Sequence, residues 1–159
     1  MIRRFIAVVL ATALAMLVMT VSVAVAQETD EVTEPMAGTE VNVTLQEWAV
    51  IPDTLSVPAG SVTFNATNVG PIDPHELVIV RTDIPAGELP TREDGGFDEE
   101  ADGVEVIGEI EEFAPGTTES ATFDLAPGKY ALLCNLVEIE DGETEAHYQL
   151  GMWIDFEVT

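Results

Sequence analysis

The stretch Gly128-Lys129-Tyr130-Ala131-Leu132-Leu133-Cys134-Asn135 begins at a turn and continues as an apolar run that ends in a cysteine. Pro127 and Gly128 are turn formers, and a short apolar run bounded by turn residues is typical of a buried strand. Cys134 is the single cysteine of the chain, so it cannot form a disulfide within the molecule. The stretch therefore predicts a buried strand that ends in a free thiol.

The segments on either side alternate between apolar and polar residues, with the period of two that a half-buried strand requires. The alternating segments are residues 41–46, 62–67, 121–125 and 154–158, and residues 77–80 form a further short apolar run. Turn signals such as Pro58-Ala59-Gly60 separate these segments. Because no long amphipathic helix interrupts them, they predict an all-β Greek-key sandwich or barrel. Residues 84–112 are acidic and poorly periodic, so we expect one long excursion there with a short helix.

The N-terminal residues have the order of an export signal. Arg3 and Arg4 precede the uncharged residues 5–26, which end in Ala24-Val25-Ala26. This order predicts a signal peptide over residues 1–26 and an exported protein, in the periplasm or at the extracellular face of the cytoplasmic membrane. An uncleaved anchor is the alternative, because the stretch is long enough to span a bilayer. We expect residues 27–39 to be an acidic flexible tether and residues 40–159 to form one domain.

The charge of the chain restricts its partners. Beyond residue 26 there are 30 acidic and three basic residues, a net charge of −27. Such a surface repels nucleic acid and anionic lipid, so no nucleic acid partner is expected, and membrane contact is expected only through an uncleaved N-terminus. The charge favours a partner with a cationic docking face, and we expect a monomer.

Four candidate metal donors lie at the ends of predicted strands. His75 begins a strand, Cys134 ends one, and His147 and Met152 precede the last one. A sandwich that brings these ends together supplies two imidazoles, a thiol and a thioether. Copper suits this set, because Cu(I) prefers sulfur, Cu(II) accepts imidazole nitrogen, and a trigonal site with a weak axial Met serves both states. Any one of these residues alone is more often a packing residue, so the prediction rests on the combination.

The order of the segments resembles the plastocyanin/azurin family of small type 1 blue copper proteins, the cupredoxins. The segments concerned are Val57-Pro58-Ala59-Gly60 with Val62-Thr63-Phe64, His75-Glu76-Leu77, Pro127-Gly128-Lys129-Tyr130 through Cys134-Asn135, and His147 followed by Met152. The resemblance covers about residues 41–159.

The resemblance implies a cupredoxin domain that holds one copper per chain, cycling between Cu(I) and Cu(II). Its equatorial ligands would be His75, Cys134 and His147, with Met152 as the axial ligand. It also implies single-electron exchange with a redox partner protein such as a cytochrome or an oxidase. In that family the electrons generally pass through the more exposed C-terminal histidine, here His147.

Two features depart from the family pattern. Cys134 and His147 are separated by 12 residues, of which five are acidic, whereas family members have only a few. We expect a surface turn at Asp141-Gly142 that either shields His147 or recruits a cationic partner. In addition, Glu76 stands where several blue copper proteins carry an Asn that braces the thiolate loop.

Other functions are weighed against electron transfer. Copper storage, delivery or resistance is the main alternative, but the Met-rich or His-rich tracts typical of copper handling are absent from the sequence. An enzyme is not expected, because two histidines cannot build a trinuclear copper centre and one cysteine cannot bridge a binuclear one. A metal-free adhesion or ligand-binding sandwich would leave the four donors without a common purpose.

Trp48 and Trp153 are interpreted as packing or partly exposed aromatics.

Overall fold

The computed structural model describes residues 38–140 and 142–159, which form two facing β-sheets and a separate hairpin. The first sheet has the order β2-β1-β4-β7, and the second has the order β3-β11-β8-β5-β6. The strands of the first sheet are β1 (Thr39–Gln46), β2 (Ala49–Pro52), β4 (Gly60–Asn68) and β7 (Thr118–Leu125). Those of the second are β3 (Ser56–Val57), β5 (His75–Thr82), β6 (Val104–Phe113), β8 (Gly128–Leu133) and β11 (Trp153–Val158). The hairpin is β9 (Val137–Glu140) with β10 (Glu143–Ala146), and α1 (His147–Leu150) is a single helical turn.

The alternating strands bury one face, as their sequences predict. Val41, Val43 and Leu45 of β1 are buried, as are the apolar residues of β4. The ring of Phe64 lies at the centre of this core, 6.3 Å from the ring of Phe123 and 5.8 Å from that of Phe156. Burying such a side chain stabilises the fold by about 1.5–3 kcal/mol. The all-β sandwich prediction is confirmed.

The continuous apolar runs of β5 and β8 are buried on both faces. Leu77 and Ile79 face the core between the two sheets. Val78 and Val80 face the other way, into a second cluster that includes Ala86, Leu89, Phe97 and Tyr148. A strand covered on both sides needs apolar residues at successive positions. The second cover is supplied by residues 83–103 and α1.

The predicted excursion over residues 84–112 is only partly correct. Residues 83–103 form an irregular connection with a short 3-10 turn at Ala86–Glu88, but Val104–Phe113 is strand β6, paired antiparallel with β5. This strand lies at the edge of its sheet, and its register with β5 shifts twice. The alternation of apolar and polar residues is hidden by the two register shifts and by the partial burial of Val104, Val106 and Ile107.

The first described strand, β1, begins at Thr39, and the predicted domain boundaries stay a prediction. The predicted signal peptide and most of the predicted tether fall on residues 1–37, outside the described residues. A search of the described residues for a helix long and apolar enough to cross a bilayer finds none.

Candidate metal centre

The predicted donor residues converge because three neighbouring strands end at the same pole of the second sheet. His75 is the first residue of β5, Cys134 follows the last residue of β8, and Met152 precedes β11. Strand β8 lies between β5 and β11 and is antiparallel to both, so its end meets their beginnings. His147 begins α1, and its carbonyl accepts a hydrogen bond from the Met152 N–H at 3.1 Å. The Cys134 N–H donates to the Met152 carbonyl at 3.0 Å.

Three donor atoms form a tight cluster at this pole. The Nδ1 atoms of His75 and His147 are 3.3 Å apart, and the Cys134 Sγ is 3.3 Å from the His147 Nδ1. All three side chains are completely buried, as is that of Met152. The ligand atoms of the histidines and the cysteine all lie within 4.8 Å of one another.

These distances fit a metal site. Two nitrogens bound at about 2.0 Å, at angles between tetrahedral and trigonal, are about 3.3–3.5 Å apart, and a sulfur at about 2.3 Å lies about 3.5 Å from such a nitrogen. The donor set of two imidazoles and one thiolate is that of a type 1 copper site. In the described part of the chain the Nε2 atoms of both histidines are buried without a hydrogen-bond partner. The arrangement leaves Nδ1 of each ring directed at the shared centre.

Comparison with solved structures finds proteins that share this fold. The fold matches a dithionite-reduced auracyanin from the photosynthetic bacterium Roseiflexus castenholzii, with 25% sequence identity over 77% of this chain and 98% of that chain, and a TM-score of 0.53. It also matches auracyanin B, with 26% identity over 80% of this chain and 93% of that one, and a TM-score of 0.53. The chain has the cupredoxin fold. No family model and no curated protein sequence matches it.

A third match links the cupredoxin fold to a described metal. Auracyanin A from Chloroflexus aurantiacus, described as a "blue" copper protein, has 21% identity over 77% of this chain and 99% of that one, with a TM-score of 0.50. At that identity the likeness concerns the fold alone.

The expectation that His147 is the more exposed histidine is wrong. Both histidines are completely buried in this structure. The ring of Trp48 lies edge-on to that of His147 at 4.9 Å. The Glu138 Oε2 on the β9–β10 hairpin lies 3.4 Å from the His147 Nε2, outside hydrogen-bond geometry. The 12-residue insertion thus forms a hairpin that shields His147, one of the two roles considered for it.

The environment disfavours charge on the ligands when no metal is bound. Burial lowers the pKa of His75, and the neighbouring His147 lowers it further. Burial also lowers the pKa of His147 and raises the pKa of Cys134 to about 12. A thiol with such a pKa stays protonated at neutral pH, so a metal ion must displace its proton on binding.

Glu76 braces the loop that carries Cys134 and Asn135. Its backbone N–H donates to the Cys134 Sγ at 3.4 Å, and its Oε1 accepts the Asn135 N–H at 3.0 Å. Burial raises the pKa of Glu76 to about 7, against the opposing effect of the Asn135 N–H donation. Nearby glutamates, among them Glu109, raise it further.

Two polar side chains that sequence reasoning missed tie the ligand loops to residues 83–103. Asn135 accepts the Phe97 N–H and donates from Nδ2 to the Glu99 Oε1 at 2.8 Å. The Tyr148 hydroxyl accepts the Leu89 N–H at 2.9 Å and donates to the Ala86 carbonyl at 2.8 Å. The adjacency of Asn135 to Cys134 and of Tyr148 to His147 is the one signal in the sequence that points to them.

Proposed function

We propose that this cupredoxin is a type 1 copper electron-transfer protein that acts outside the cytoplasm. The observation that carries the proposal is the completely buried cluster of His75, Cys134 and His147, with their ligand atoms within 4.8 Å of one another. The description of auracyanin A as a blue copper protein supports it. His75, Cys134 and His147 would hold one copper together with Met152, whose thioether would be the weaker donor. When bound, the copper supplies the one-electron Cu(I)/Cu(II) couple.

The residues around the proposed ligands hold them in a fixed geometry. The ligands lie at strand ends, and Asn135, Glu76 and Tyr148 are hydrogen-bonded around them. A site held in one geometry by its surroundings reorganises little when the charge of the metal changes, which favours fast electron exchange. The apolar residues around the ligands exclude water. A redox partner protein, such as a cytochrome or an oxidase with a cationic docking face, would complete the function.

Export is proposed from the sequence of residues 1–26, with cleavage as a signal peptide and retention as an anchor as the two possible fates. The protein is proposed to act as a monomer.

Copper storage, delivery or resistance is the competing function, and retention of the metal distinguishes the two. The full chain with one equivalent of copper is cycled between ascorbate and ferricyanide in the presence of a Cu(I) chelator such as bathocuproine disulfonate. An electron carrier keeps its copper over many cycles, because the ligands are enclosed in both states. Cys134→Ser is the control that is expected to lose copper at the first reduction. Release of Cu(I) from the unmodified chain as fast as from Cys134→Ser would contradict the carrier function and favour delivery.

A further inference from the structure

The burial of both histidines raises the question of where a partner approaches the metal centre. Trp48 is a half-buried side chain that lines a surface groove and whose ring lies against both imidazoles. Its ring centroid is 4.9 Å from that of His147 and 6.5 Å from that of His75, edge-on in both cases. The other tryptophan, Trp153, is 36% exposed and packs close to Gly87. Trp48 therefore offers an aromatic contact from the surface to both proposed ligands.

A groove of ≈ 390 Å³ lies over Trp48. Its walls are the side chain of Trp48, the loop that leads to His75, and three acidic residues, Glu47, Asp73 and Glu145. Ile72, which is 72% exposed, supplies an apolar rim. An exposed apolar residue beside carboxylates is a combination that protein partners use for contact and for orientation.

The acidic residues of the groove are held in place. The Glu47 Oε1 accepts the N–H groups of Ile72 and Asp73, at 3.1 and 2.9 Å. The Asn68 Nδ2 donates to the Asp73 carbonyl at 2.9 Å. These bonds fix the loop that carries Asp73, so its carboxylate keeps its position beside Trp48.

Asp73 lacks a counterpart for its charge. The residue as a whole is 7% exposed, and within residues 38–140 and 142–159 its carboxylate has no hydrogen-bond or ion-pair partner. The carboxylate borders the groove and is not among the buried polar atoms that lack a partner, so a cation arriving from solvent can reach it. A cation seated in the groove would supply that pairing.

We propose that the groove around Trp48 is the docking surface for the cationic face of the redox partner, with Glu47, Asp73 and Glu145 receiving a lysine or arginine side chain. This inference rests on the proposed electron-transfer function. General acidity does not select this face, because acidic residues cover the whole surface. The contact of Trp48 with both imidazole rings, together with the unpaired Asp73, selects it. A copper held by His75, Cys134 and His147 would supply the single electron that reduces the partner, an exchange that requires no bond formation and no proton transfer.

The docking surface can be tested without copper. The metal-free full chain is titrated with hexaamminecobalt(III), an inert trivalent cation, and the backbone amide shifts are followed by NMR. The expected result is saturable binding with the largest shifts at Trp48, Ile72 and Asp73. The triple variant Glu47→Gln/Asp73→Asn/Glu145→Gln loses this response. The charge-matched control with three exposed glutamates changed, Glu100→Gln/Glu111→Gln/Glu119→Gln, retains it. Shifts that spread evenly over the surface, and that weaken equally in both triple variants, would overturn the proposal.

The copper-loaded chain supplies the second test. The reduced protein is mixed with a cationic one-electron oxidant, tris(phenanthroline)cobalt(III), or with anionic ferricyanide, in stopped flow. Because electrostatic steering changes association rates by about 10–10³-fold, the groove triple variant is expected to react about 10-fold more slowly with the cation and faster with ferricyanide. The charge-matched control should change by less than about 2-fold with either oxidant. Equal effects of the two triple variants would refute docking at the groove.

The role of the aromatic ring is tested separately. Trp48→Leu is expected to slow oxidation by both oxidants, Trp48→Phe to restore most of the rate, and the control Trp153→Leu to leave it unchanged. The blue copper spectrum of each variant is recorded first. If the unmodified chain lacks that spectrum, the proposed function fails. If the spectrum is present and Trp48→Leu reacts like Trp153→Leu, only the inference about Trp48 fails.

Discussion

Replacing Glu76 with Gln should stabilise the metal-free protein at neutral and alkaline pH. The folded protein holds the Glu76 carboxyl in a mostly buried position and raises its pKa to about 7 from the ordinary 4.5. Well below pH 4.5 the carboxyl is protonated in both the folded and the unfolded chain, so its burial does not lower the free energy of unfolding there. As the pH rises, the unfolded chain releases the proton first, so stability falls until the pH exceeds about 7.

The size of this effect follows from the two pKa values. Their difference of about 2.5, at about 1.4 kcal/mol for each pH unit, corresponds to a loss of about 3 kcal/mol between pH 4 and pH 8. Gln is neutral at every pH, and its Oε1 can still accept the Asn135 N–H. The difference in free energy of unfolding between Glu76→Gln and the unmodified chain should therefore grow from near zero at pH 4 to about 3 kcal/mol at pH 8.

The assay is urea unfolding of the metal-free full chain at a series of pH values, followed by tryptophan fluorescence. The lowered pKa values of His75 and His147 also give a pH dependence, but they act alike in both proteins and cancel in the difference. Glu119→Gln, at an exposed position on β7, is the matched control and should follow the unmodified chain. Parallel curves for Glu76→Gln and the unmodified chain would show that burial does not hold the proton on Glu76.

Three further predictions concern side chains around the site and in the core. Glu138→Gln should weaken Cu(II) binding about 10-fold in a competition titration, because it removes the carboxylate charge beside the His147 Nε2; an unchanged affinity would remove Glu138 from the support of the site. Tyr148→Phe should lower the free energy of unfolding in urea by about 1–3 kcal/mol, because the Leu89 N–H loses its buried partner, and a loss below about 0.5 kcal/mol would contradict this account. Phe64→Ala should cost about 3–5 kcal/mol in the same assay by opening a cavity between the sheets, whereas a cost under about 1 kcal/mol would mean that the core refills.

The fold and the donor set could be predicted because each leaves a local pattern. One buried face in β1 and β4 gives strict alternation, and the apolar run before Cys134 shows a strand covered on both faces. His75, Cys134 and His147 could be selected because donors of these types are scarce in the chain. The structure brings these three together as expected, and their role as copper ligands, with Met152, remains the proposal.

The remaining features depend on contacts between residues distant in sequence. Strand β6 was missed because it is an irregular edge strand in which Val104, Val106 and Ile107 are only half-buried. The burial of His147 depends on the β9–β10 hairpin and on Trp48, which precedes it by 99 positions. No pattern in the sequence around Trp48 indicates that its ring meets both imidazoles. Such packing is determined by how the two sheets and the hairpin fit together.

The most direct test of the central claim is the visible and electron paramagnetic resonance spectrum of the full chain titrated with Cu(II), beside Cys134→Ala. A buried thiolate and two imidazoles around one copper predict saturation at one equivalent. They also predict an intense thiolate-to-copper charge-transfer band with narrow copper hyperfine splitting, both absent from Cys134→Ala. A colourless complex, or the ordinary spectrum of tetragonal copper, would contradict a type 1 site and with it the electron-transfer function.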